Sequence, residues 1–370
     1  MKKSWLATVL AILLLVGVAP DAQAARNSGA GIVDVAVFND YSSWDSPSFG
    51  VVALRSDGTI VTDNMGDSDL TDEELRAVES WKDIIQISSC SGTLAALRAD
   101  GTVLAVGNDE SGQCRVEDWR NVTCIVCTVA RTFGLLADGT VVCTGGESAD
   151  RYFVPFDASA WTGVKKLICA FCSQGEYLLG LMDDGTVMDI CVTYDDSWSE
   201  VGRYNGWSGK PENIAEISSS GWLHTALRTD GTVICKGTDR ELLEDGLSGW
   251  ADIVQVCSGD TAVVGLCSDG TVVAVPLPEE EPYTEILRWT GIKRLYMGTY
   301  NTVIGLRADG TLKVAADDAM HPKQEWADRM RGWTDIVDVK IDPGERYVIG
   351  WKADGTLVSV GVDFSPLWAE

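Results

Sequence analysis

The chain has 370 residues, of which 45% are hydrophobic and 14 are Trp, and this apolar content excludes a disordered chain. Its 55 acidic residues outnumber 29 basic residues, which gives a formal net charge of -26. Such a surface repels polyanions, so it argues against nucleic acid as a partner and suits solubility, cation binding or a basic partner.

The N-terminal 24 residues have the pattern of a secretory signal peptide. Two lysines precede the apolar run Trp5–Val18, and Ala22 and Ala24 provide a small-x-small cleavage site. The run is shorter than the roughly 20 residues that a transmembrane helix needs. We therefore expect an exported, extracellular chain without membrane insertion, in which residues 25–31 form a short linker.

From residue 32 to residue 370 the sequence is repetitive. The triplet Asp-Gly-Thr recurs at intervals of 38 to 46 residues, a period that is typical of repeat architectures. The triplets begin at Asp57, Asp100, Asp138, Asp184, Asp230, Asp269, Asp309 and Asp354. A Trp precedes seven of them by 19 to 23 residues: Trp81, Trp119, Trp161, Trp207, Trp250, Trp289 and Trp333.

Each repeat contains three short segments that are rich in Val, Ile and Leu and bounded by Gly or Ser, which predicts three strands, A, B and C. In the second repeat, Ile84 and Ile87 belong to strand A, Leu94–Leu97 to strand B and Val103–Val106 to strand C. Asp-Gly between B and C predicts a hairpin turn, because Gly readily adopts the positive φ of a tight turn. The eight Asp residues are therefore interpreted as structural.

The connectors must cross back over each sheet, since three antiparallel strands end opposite to where they began. Gln113–Asp118 could form a short fourth strand, whereas Leu70–Ser80 is predicted to be helical, with Thr71 and Glu74 at capping-box spacing. We predict an all-β fold, a single β-propeller of three inner strands per blade plus a variable outer crossing segment. Eight blades fit the eight hairpins, and seven blades are the alternative.

The two ends of the repeat region look like parts of one repeat. Ile32–Val35 has the same sequence as Ile336–Val339, but Gly29 stands where the other repeats have Trp. Trp368, near the C-terminus, has no strand A after it. This pattern predicts a closed ring in which Trp368 approaches Ile32–Val35.

Two segments, Gly221–Thr232 and Trp250–Gly259, resemble repeats of the regulator of chromosome condensation family, particularly those of its exported bacterial relatives. The resemblance extends over essentially residues 29–370. It implies a β-propeller, typically of seven blades, that is used for protein–protein contact. Eukaryotic members are nucleotide-exchange factors that bind chromatin, and one bacterial relative is a secreted inhibitor of β-lactamases. The acidic charge and the signal peptide argue against the eukaryotic activities here.

The cysteines suggest buried thiols more than a metal site or a disulfide framework. The chain has 11 of them, an odd number at irregular spacing. Cys124 and Cys127, like Cys169 and Cys172, have the spacing of zinc ligands. Residues three apart in a strand point to opposite faces, so we predict no metal. Cys169 and Cys172 lie nearer a turn and form the possible disulfide.

Few residues suggest catalysis or a cofactor. The chain has two histidines, and we expect a structural hydrogen bond for His224, in strand B, and a connector position for His321. No nucleophile elbow, phosphate-binding loop or dinucleotide fingerprint occurs. The turn Asp residues lie too far apart for a calcium site. Carboxylates of a glycoside hydrolase need not be close in sequence, so an enzyme stays open as an alternative.

The turns between strands A and B vary most among the repeats, and they carry aromatic and Arg residues that are typical of binding hot spots. The candidate partner-binding residues are Tyr41, Trp44, Phe49, Arg131, Phe171, Trp222, Tyr300 and Arg346. These loops favour a monomeric, non-enzymatic protein without a cofactor that binds a protein or a surface polymer. The alternatives are a hydrolase or lyase that acts on polysaccharides, and an inhibitor of a secreted enzyme.

Overall fold

Eight antiparallel sheets, one for each predicted repeat, form the blades of the protein in a computed structural model. The structure describes residues 31–38, 50–63, 65, 70–146, 161–172, 175–194, 200–204, 207, 211–220, 223–237, 240–276, 283–316, 323–342, 345 and 347–361. Within these residues each sheet has the order A-B-C, and the fourth sheet has an additional outer strand. The prediction of an eight-bladed β-propeller with three inner strands per blade is confirmed.

The strands are short, and their bounds agree with the repeat. The A strands are β1 Ile32–Phe38, β4 Ile84–Cys90, β7 Val122–Cys127, β10 Val164–Cys172, β14 Ile214–Ser219, β17 Ile253–Ser258, β20 Ile292–Met297 and β23 Ile336–Ile341. The B strands are β2 Gly50–Arg55, β5 Thr93–Arg98, β8 Arg131–Leu136, β11 Gly175–Met182, β15 Leu223–Arg228, β18 Ala262–Cys267, β21 Val303–Arg307 and β24 Val348–Lys352. The C strands are β3 Ile60–Asp63, β6 Val103–Gly107, β9 Val141–Gly145, β12 Val187–Tyr194, β16 Val233–Gly237, β19 Val272–Pro276, β22 Leu312–Ala315 and β25 Leu357–Val360. The additional strand of blade 4 is β13 Glu200–Tyr204.

The connectors carry helices α1 Asp72–Ser80, α2 Arg240–Leu247, α3 Tyr283–Ile286 and α4 Lys323–Arg331. The predicted capping box is confirmed, since Thr71 N donates to Glu74 Oε2 at 2.8 Å and Glu74 N donates to Thr71 Oγ1 at 3.3 Å.

The expectation of a fourth strand over Gln113–Asp118 was wrong, because this segment forms turns. Ser111 N donates to Gln113 Oε1 at 2.9 Å, and Cys114 N donates to Asp109 Oδ1 at 2.8 Å. These local bonds satisfy backbone groups that a strand would otherwise pair.

The A strands are innermost. Successive A strands contact one another from β1 to β23, whereas the helices contact C strands. Polar side chains at the third position of the A strands connect neighbouring blades. Gln86 donates to Ile125 O at 2.8 Å and accepts from Ile125 N at 2.9 Å, and Gln255 holds Leu295 of the next blade in the same way. Ion pairs link Lys166 with Glu216 at 3.7 Å and Arg294 with Asp338 at 3.3 Å.

The last blade contacts the first, so the ring is closed. Lys340 Nζ donates to Asp34 Oδ1 at 2.7 Å and to Val35 O at 2.6 Å, and Trp351 Nε1 donates to Ile32 O at 2.8 Å. Apolar side chains from both blades form one buried cluster around Trp351. Gly29 and Trp368, which pointed to this closure in the sequence, lie outside the described residues.

The repeated Trp residues pack on the middle of the B strands. A Cβ added at Gly134 or Gly265 would lie 2.8 Å from the ring of Trp119 or Trp250. Gly180, Gly305 and Gly350 bear the same relation to Trp161, Trp289 and Trp333. The Trp rings therefore explain why small residues recur at this position.

The Asp-Gly-Thr triplets form the B–C turns, where each Asp satisfies its own turn. In all eight, Asp Oδ1 accepts from the Thr backbone N at 2.9–3.0 Å and from Thr Oγ1 at 2.6–2.7 Å. The turn glycines have φ of 77–85°. At seven blade boundaries the glycine carbonyl also accepts from the first residue of the next A strand, at 2.8–3.2 Å. The triplets thus hold the blades together as well as turning the chain.

Candidate functional site

The two ends of the propeller differ in how much their turns vary. We call the end with the Asp-Gly-Thr turns the B–C face, and the opposite end, where strand A passes into strand B, the A–B face. The described turns of the A–B face are residues 91–92, 128–130, 220, 259–261, 298–302, 342, 345 and 347. No two of them share a sequence, so a binding site specific to this chain is expected on the A–B face.

The A–B turns of blades 6 and 7 are joined by three hydrogen bonds. Asp260 N donates to Thr299 O at 2.7 Å. Thr261 N donates to Asn301 Oδ1 at 3.2 Å, and Asn301 Nδ2 donates to Thr261 Oγ1 at 2.9 Å. The Asn301 side chain thus bonds to both the backbone N–H and the hydroxyl of Thr261, and these bonds fix one turn against the other.

The turns of blades 7 and 8 are joined by the carboxylate of Glu345. Thr302 N donates to Glu345 Oε1 at 3.1 Å, and the Thr302 hydroxyl donates to Oε2. Glu345 is 4% exposed and has a φ of 50°. A Cβ at Gly298 would collide with this carboxylate, so Gly is required there. Asp342 O accepts from Glu345 N at 2.7 Å, which holds the blade 8 turn in place.

Hydroxyl groups extend the connection to blade 5. Ser220 Oγ donates to Gly259 O at 2.9 Å, and the hydroxyls of Ser218 and Ser258 lie 3.2 Å apart. The turns of blades 5 to 8 therefore form one hydrogen-bonded unit. We call this unit the A–B arc, comprising residues 218–220, 258–261, 298–302, 342 and 345.

His224 lies below the arc and has a structural environment. Its Nδ1 is 2.7 Å from Ser219 Oγ, and its ring centroid is 4.7 Å from that of Tyr177. Burial, with a smaller contribution from the charge of Lys236, lowers the pKa of His224 to about 4. The imidazole is thus neutral at pH 7, and its contact with Ser219 fixes the end of β14. His321 lies outside the described residues.

Asp260 is the titratable group of the arc with a perturbed pKa. Burial, followed by the charge of Glu345, raises the pKa of Asp260 to about 6. Its Oδ1 is buried and has no hydrogen-bond partner in the structure. Asp260 and Glu345, two of the three carboxyl groups of the arc, therefore have contrasting environments: both oxygens of Glu345 accept hydrogen bonds, whereas Oδ1 of Asp260 accepts none.

The predicted binding residues fall into three groups. Tyr300 is half-buried in the blade 7 turn, at the centre of the arc. Phe171 belongs to β10 and not to a turn, because the hairpin of blade 4 continues to Cys172 paired with Gly175. Tyr41, Trp44, Phe49, Trp222 and Arg346 lie outside the described residues.

Arg131 does not have the exposed loop position that we expected from the sequence. It begins β8, and its side chain is 0% exposed, so it presents no surface to a partner. Sequence reasoning also missed Asp260, Asn301 and Glu345. Their spacing of about 40 residues, one repeat, was the signal that could have placed them on neighbouring turns.

Cys169 and Cys172 both lie in β10. The side chain of Cys172 lies outside the described part of the structure, so the possible disulfide between these two residues stays a prediction. Burial raises the pKa of Cys124 and Cys127 to about 11, so neither is a thiolate at neutral pH.

Within the part of the chain that the structure describes, no group of three or more His, Cys, Asp or Glu side chains is arranged to hold a metal ion. Over the same residues, no helix combines the length and the apolar character that crossing a membrane requires.

No protein-family model matches the chain, and no curated protein matches it in sequence. Solved structures with a similar fold include the CRINKLY WD40 ectodomain of the Arabidopsis thaliana receptor kinase ACR4, at 14% identity, 75% coverage of this chain, 94% coverage of that chain and a TM-score of 0.43. They also include Prp20p from Saccharomyces cerevisiae, at 12% identity, coverage of 79% and 83%, and a TM-score of 0.41. A third is a eukaryotic initiation factor, at 9% identity, coverage of 86% and 81%, and a TM-score of 0.45. The fold assignment rests on the strand pairing of this chain and not on these distant likenesses.

Proposed function

We propose that this chain is an exported, monomeric, non-enzymatic binding protein that recognises a protein or a surface polymer through its A–B face. The observation that carries the proposal is the A–B arc. It combines turns of unequal sequence with hydrogen bonds that fix them on a rigid ring. Preformed loops on a rigid scaffold lose little conformational entropy when a partner binds.

Tyr300 is the residue of the arc best suited to be a contact. It is an aromatic side chain in the central turn, flanked by the hydrogen-bonded Asn301. Tyr contributes a large contact area with few rotatable bonds, which makes it a common hot-spot residue. Trp44 and Trp222, predicted from sequence to lie in the A–B turns of blades 1 and 5, would extend this contact.

The charge of the molecule suits a basic partner. The whole chain carries a formal charge of -26, and the arc contains Asp260, Asp342 and Glu345 but no Lys or Arg among its described residues. Complementary charge accelerates association and selects partners. We therefore expect capture that weakens as ionic strength rises.

A polysaccharide-active enzyme is the second candidate, and the raised pKa of Asp260 is the observation that favours it. A raised pKa is typical of a catalytic acid in glycoside hydrolysis, which also requires a second accessible carboxyl group. Glu345 is buried, and both of its oxygens accept hydrogen bonds from Thr302. This places the second carboxyl group out of reach of a substrate, so we prefer binding. Inhibition of a secreted enzyme would be one form of such binding.

The test is a capture assay with the purified chain and proteins and glycans from the native extracellular medium. The variant Trp44→Ala, Trp222→Ala, Tyr300→Ala should lose at least about tenfold in affinity for whatever the parent chain retains. The matched control changes exposed residues at the start of two A strands, next to the B–C face: Ile85→Ala and Val254→Ala. Loss of capture in the control, or full capture by the triple variant, would assign binding to another surface.

A further inference from the structure

The blade 7 turn, residues 298–302, is held between two carboxyl-bearing turns. On one side, Asp260 of blade 6 donates its backbone N–H to Thr299 O at 2.7 Å. On the other side, Glu345 of blade 8 accepts from Thr302 and packs on Gly298. A change of charge on either carboxyl group therefore acts on the same five-residue turn.

The two carboxyl groups are satisfied to different degrees. Both oxygens of Glu345 accept hydrogen bonds from Thr302. Oδ1 of Asp260 is buried without a partner, although the rest of the side chain is partly exposed. A buried carboxylate oxygen that accepts no hydrogen bond loses hydration without compensation. Ionised Asp260 is thus an unfavourable element of the arc.

We propose that Asp260 is an acid-responsive group of the A–B arc: when it takes up a proton, its repulsion from Glu345 ends and the turns of blades 6, 7 and 8 are stabilised. This proposal concerns the fold and does not depend on the proposed binding function. The proton comes from solvent, since part of the Asp260 side chain is exposed.

The surroundings of Asp260 supply no described cation to oppose this effect. Among the described residues on the neighbouring turns, blade 8 contributes Asp342, Glu345 and the phenol of Tyr347, and blade 7 contributes the phenol of Tyr300. Blade 5 contributes only the hydroxyl of Ser220, which bonds to the neighbouring Gly259. Within blade 6, the nearest titratable group along the chain is the thiol of Cys257.

The direction of the pH effect follows from the pKa of Asp260. Its value is raised from 3.8 to about 6 in the folded chain. The folded state therefore binds a proton at a pH where the unfolded chain has released it, and stability increases as pH falls from about 7 to about 4. Above pH 7 the ionised group lowers stability by a constant amount.

The experiment compares melting temperatures of the full chain and of Asp260→Asn from pH 7.5 to pH 5. Asn is neutral and has the same shape as the protonated acid. At pH 7.5 the variant should melt roughly 1–3 °C above the parent chain, and this difference should narrow as pH falls, to roughly half its size at pH 5. Asp269→Asn is the control, because the pKa of Asp269 is lowered by its Thr271 hydrogen bonds and it stays ionised over this range. The difference in melting temperature between Asp269→Asn and the parent chain should not change with pH.

Glu345→Gln tests the coupling between the two groups. Without the Glu345 charge, only burial raises the pKa of Asp260. In this background, the melting-temperature difference made by Asp260→Asn should therefore change at a lower pH.

Hydrogen exchange on the unchanged chain provides a measurement without substitution. The Asp260 amide, which bonds to Thr299 O, should become better protected between pH 7.5 and pH 5 after correction for intrinsic exchange. A pH-independent difference between Asp260→Asn and the parent chain, or unchanged protection of this amide, would overturn the proposal.

Discussion

The B–C face and the A–B face are built from the same strands, but one repeats and the other does not. Every B–C turn is Asp-Gly-Thr, with the same Asp–Thr hydrogen bonds and nearly the same glycine φ. The A–B turns differ in sequence, and four of them are joined by side-chain bonds that occur once each. The difference shows which end assembles the ring and which end is free to acquire a specific contact.

The reason for the constancy of the B–C face is that each triplet has two structural tasks. Asp100 closes its own turn through Thr102, and the Gly101 carbonyl accepts from Val122 of the next blade. A change in the triplet disturbs both the hairpin and the blade boundary. The A–B turns share no such recurring contact, so the sequence of one turn can change while the ring stays folded.

The largest effect that separates the two faces is expected for matched glycines of blade 2. Gly101 of the B–C turn and Gly92 of the A–B turn both have positive φ, of 81° and 77°. A Cβ at Gly101 would lie 3.0 Å from the Asn121 backbone, whereas the nearest atom at Gly92 is 3.5 Å away. We expect Gly101→Ala to lower the free energy of unfolding by about 3 kcal/mol and Gly92→Ala by about 1 kcal/mol.

Urea titration of both variants measures this difference. Equal losses at the two positions would contradict the idea that the B–C turn of blade 2 supports a blade boundary and that its A–B turn does not.

The closing boundary should be nearly as sensitive. Lys340→Met removes the bonds to Asp34 and Val35 and leaves a largely buried carboxylate unpaired, which should cost about 2 kcal/mol. Adding Asp34→Asn should restore part of the loss, because the unpaired charge is then gone. Urea midpoints of the two single variants and the double variant measure this coupling; additive losses would mean that the pair does not hold the ring closed.

A smaller effect is expected within the A–B arc. Asn301→Ala removes the two bonds to Thr261 and should lower stability by about 1 kcal/mol. Combined with Thr261→Ala, the second change should add little, because the bond from Asn301 Nδ2 to the Thr261 hydroxyl is already lost. Thermal denaturation of the single and double variants measures the coupling, and fully additive losses would argue that these turns are independent.

The smallest effect concerns acid stability at the B–C face. The Thr140 hydrogen bonds lower the pKa of Asp138, and similar bonds act at Asp100 and Asp230. A lowered pKa means that this stabilisation is present above the unfolded value of about 4 and is lost as pH falls further. Thr140→Val should reduce the loss of stability between pH 5 and pH 2, as measured by melting temperature. An unchanged slope would mean that the turn does not contribute.

The sequence predicted what the repeat itself determines. The spacing of Asp-Gly-Thr and Trp yielded eight blades, and Thr71 with Glu74 marked the start of α1, because these features depend on neighbours in the chain. Arg131 and Phe171 were misplaced because they lie at the ends of strands, where a shift of one or two residues decides between turn and strand. The repeat period places Glu345 one blade away from Thr302, but the bond between them depends on the A–B turn of blade 8, whose sequence does not repeat.

The contact between Lys340 and Asp34 joins residues that are 306 positions apart. Chains whose native contacts span long stretches of sequence close them late in folding. The side of blade 1 that packs on blade 8 therefore stays exposed to solvent until blade 8 has been synthesised and folded. A chain stopped before β23 would be an open arc with two apolar ends, prone to self-association. Folding of the final repeat thus closes the ring and buries the apolar surfaces at both of its ends.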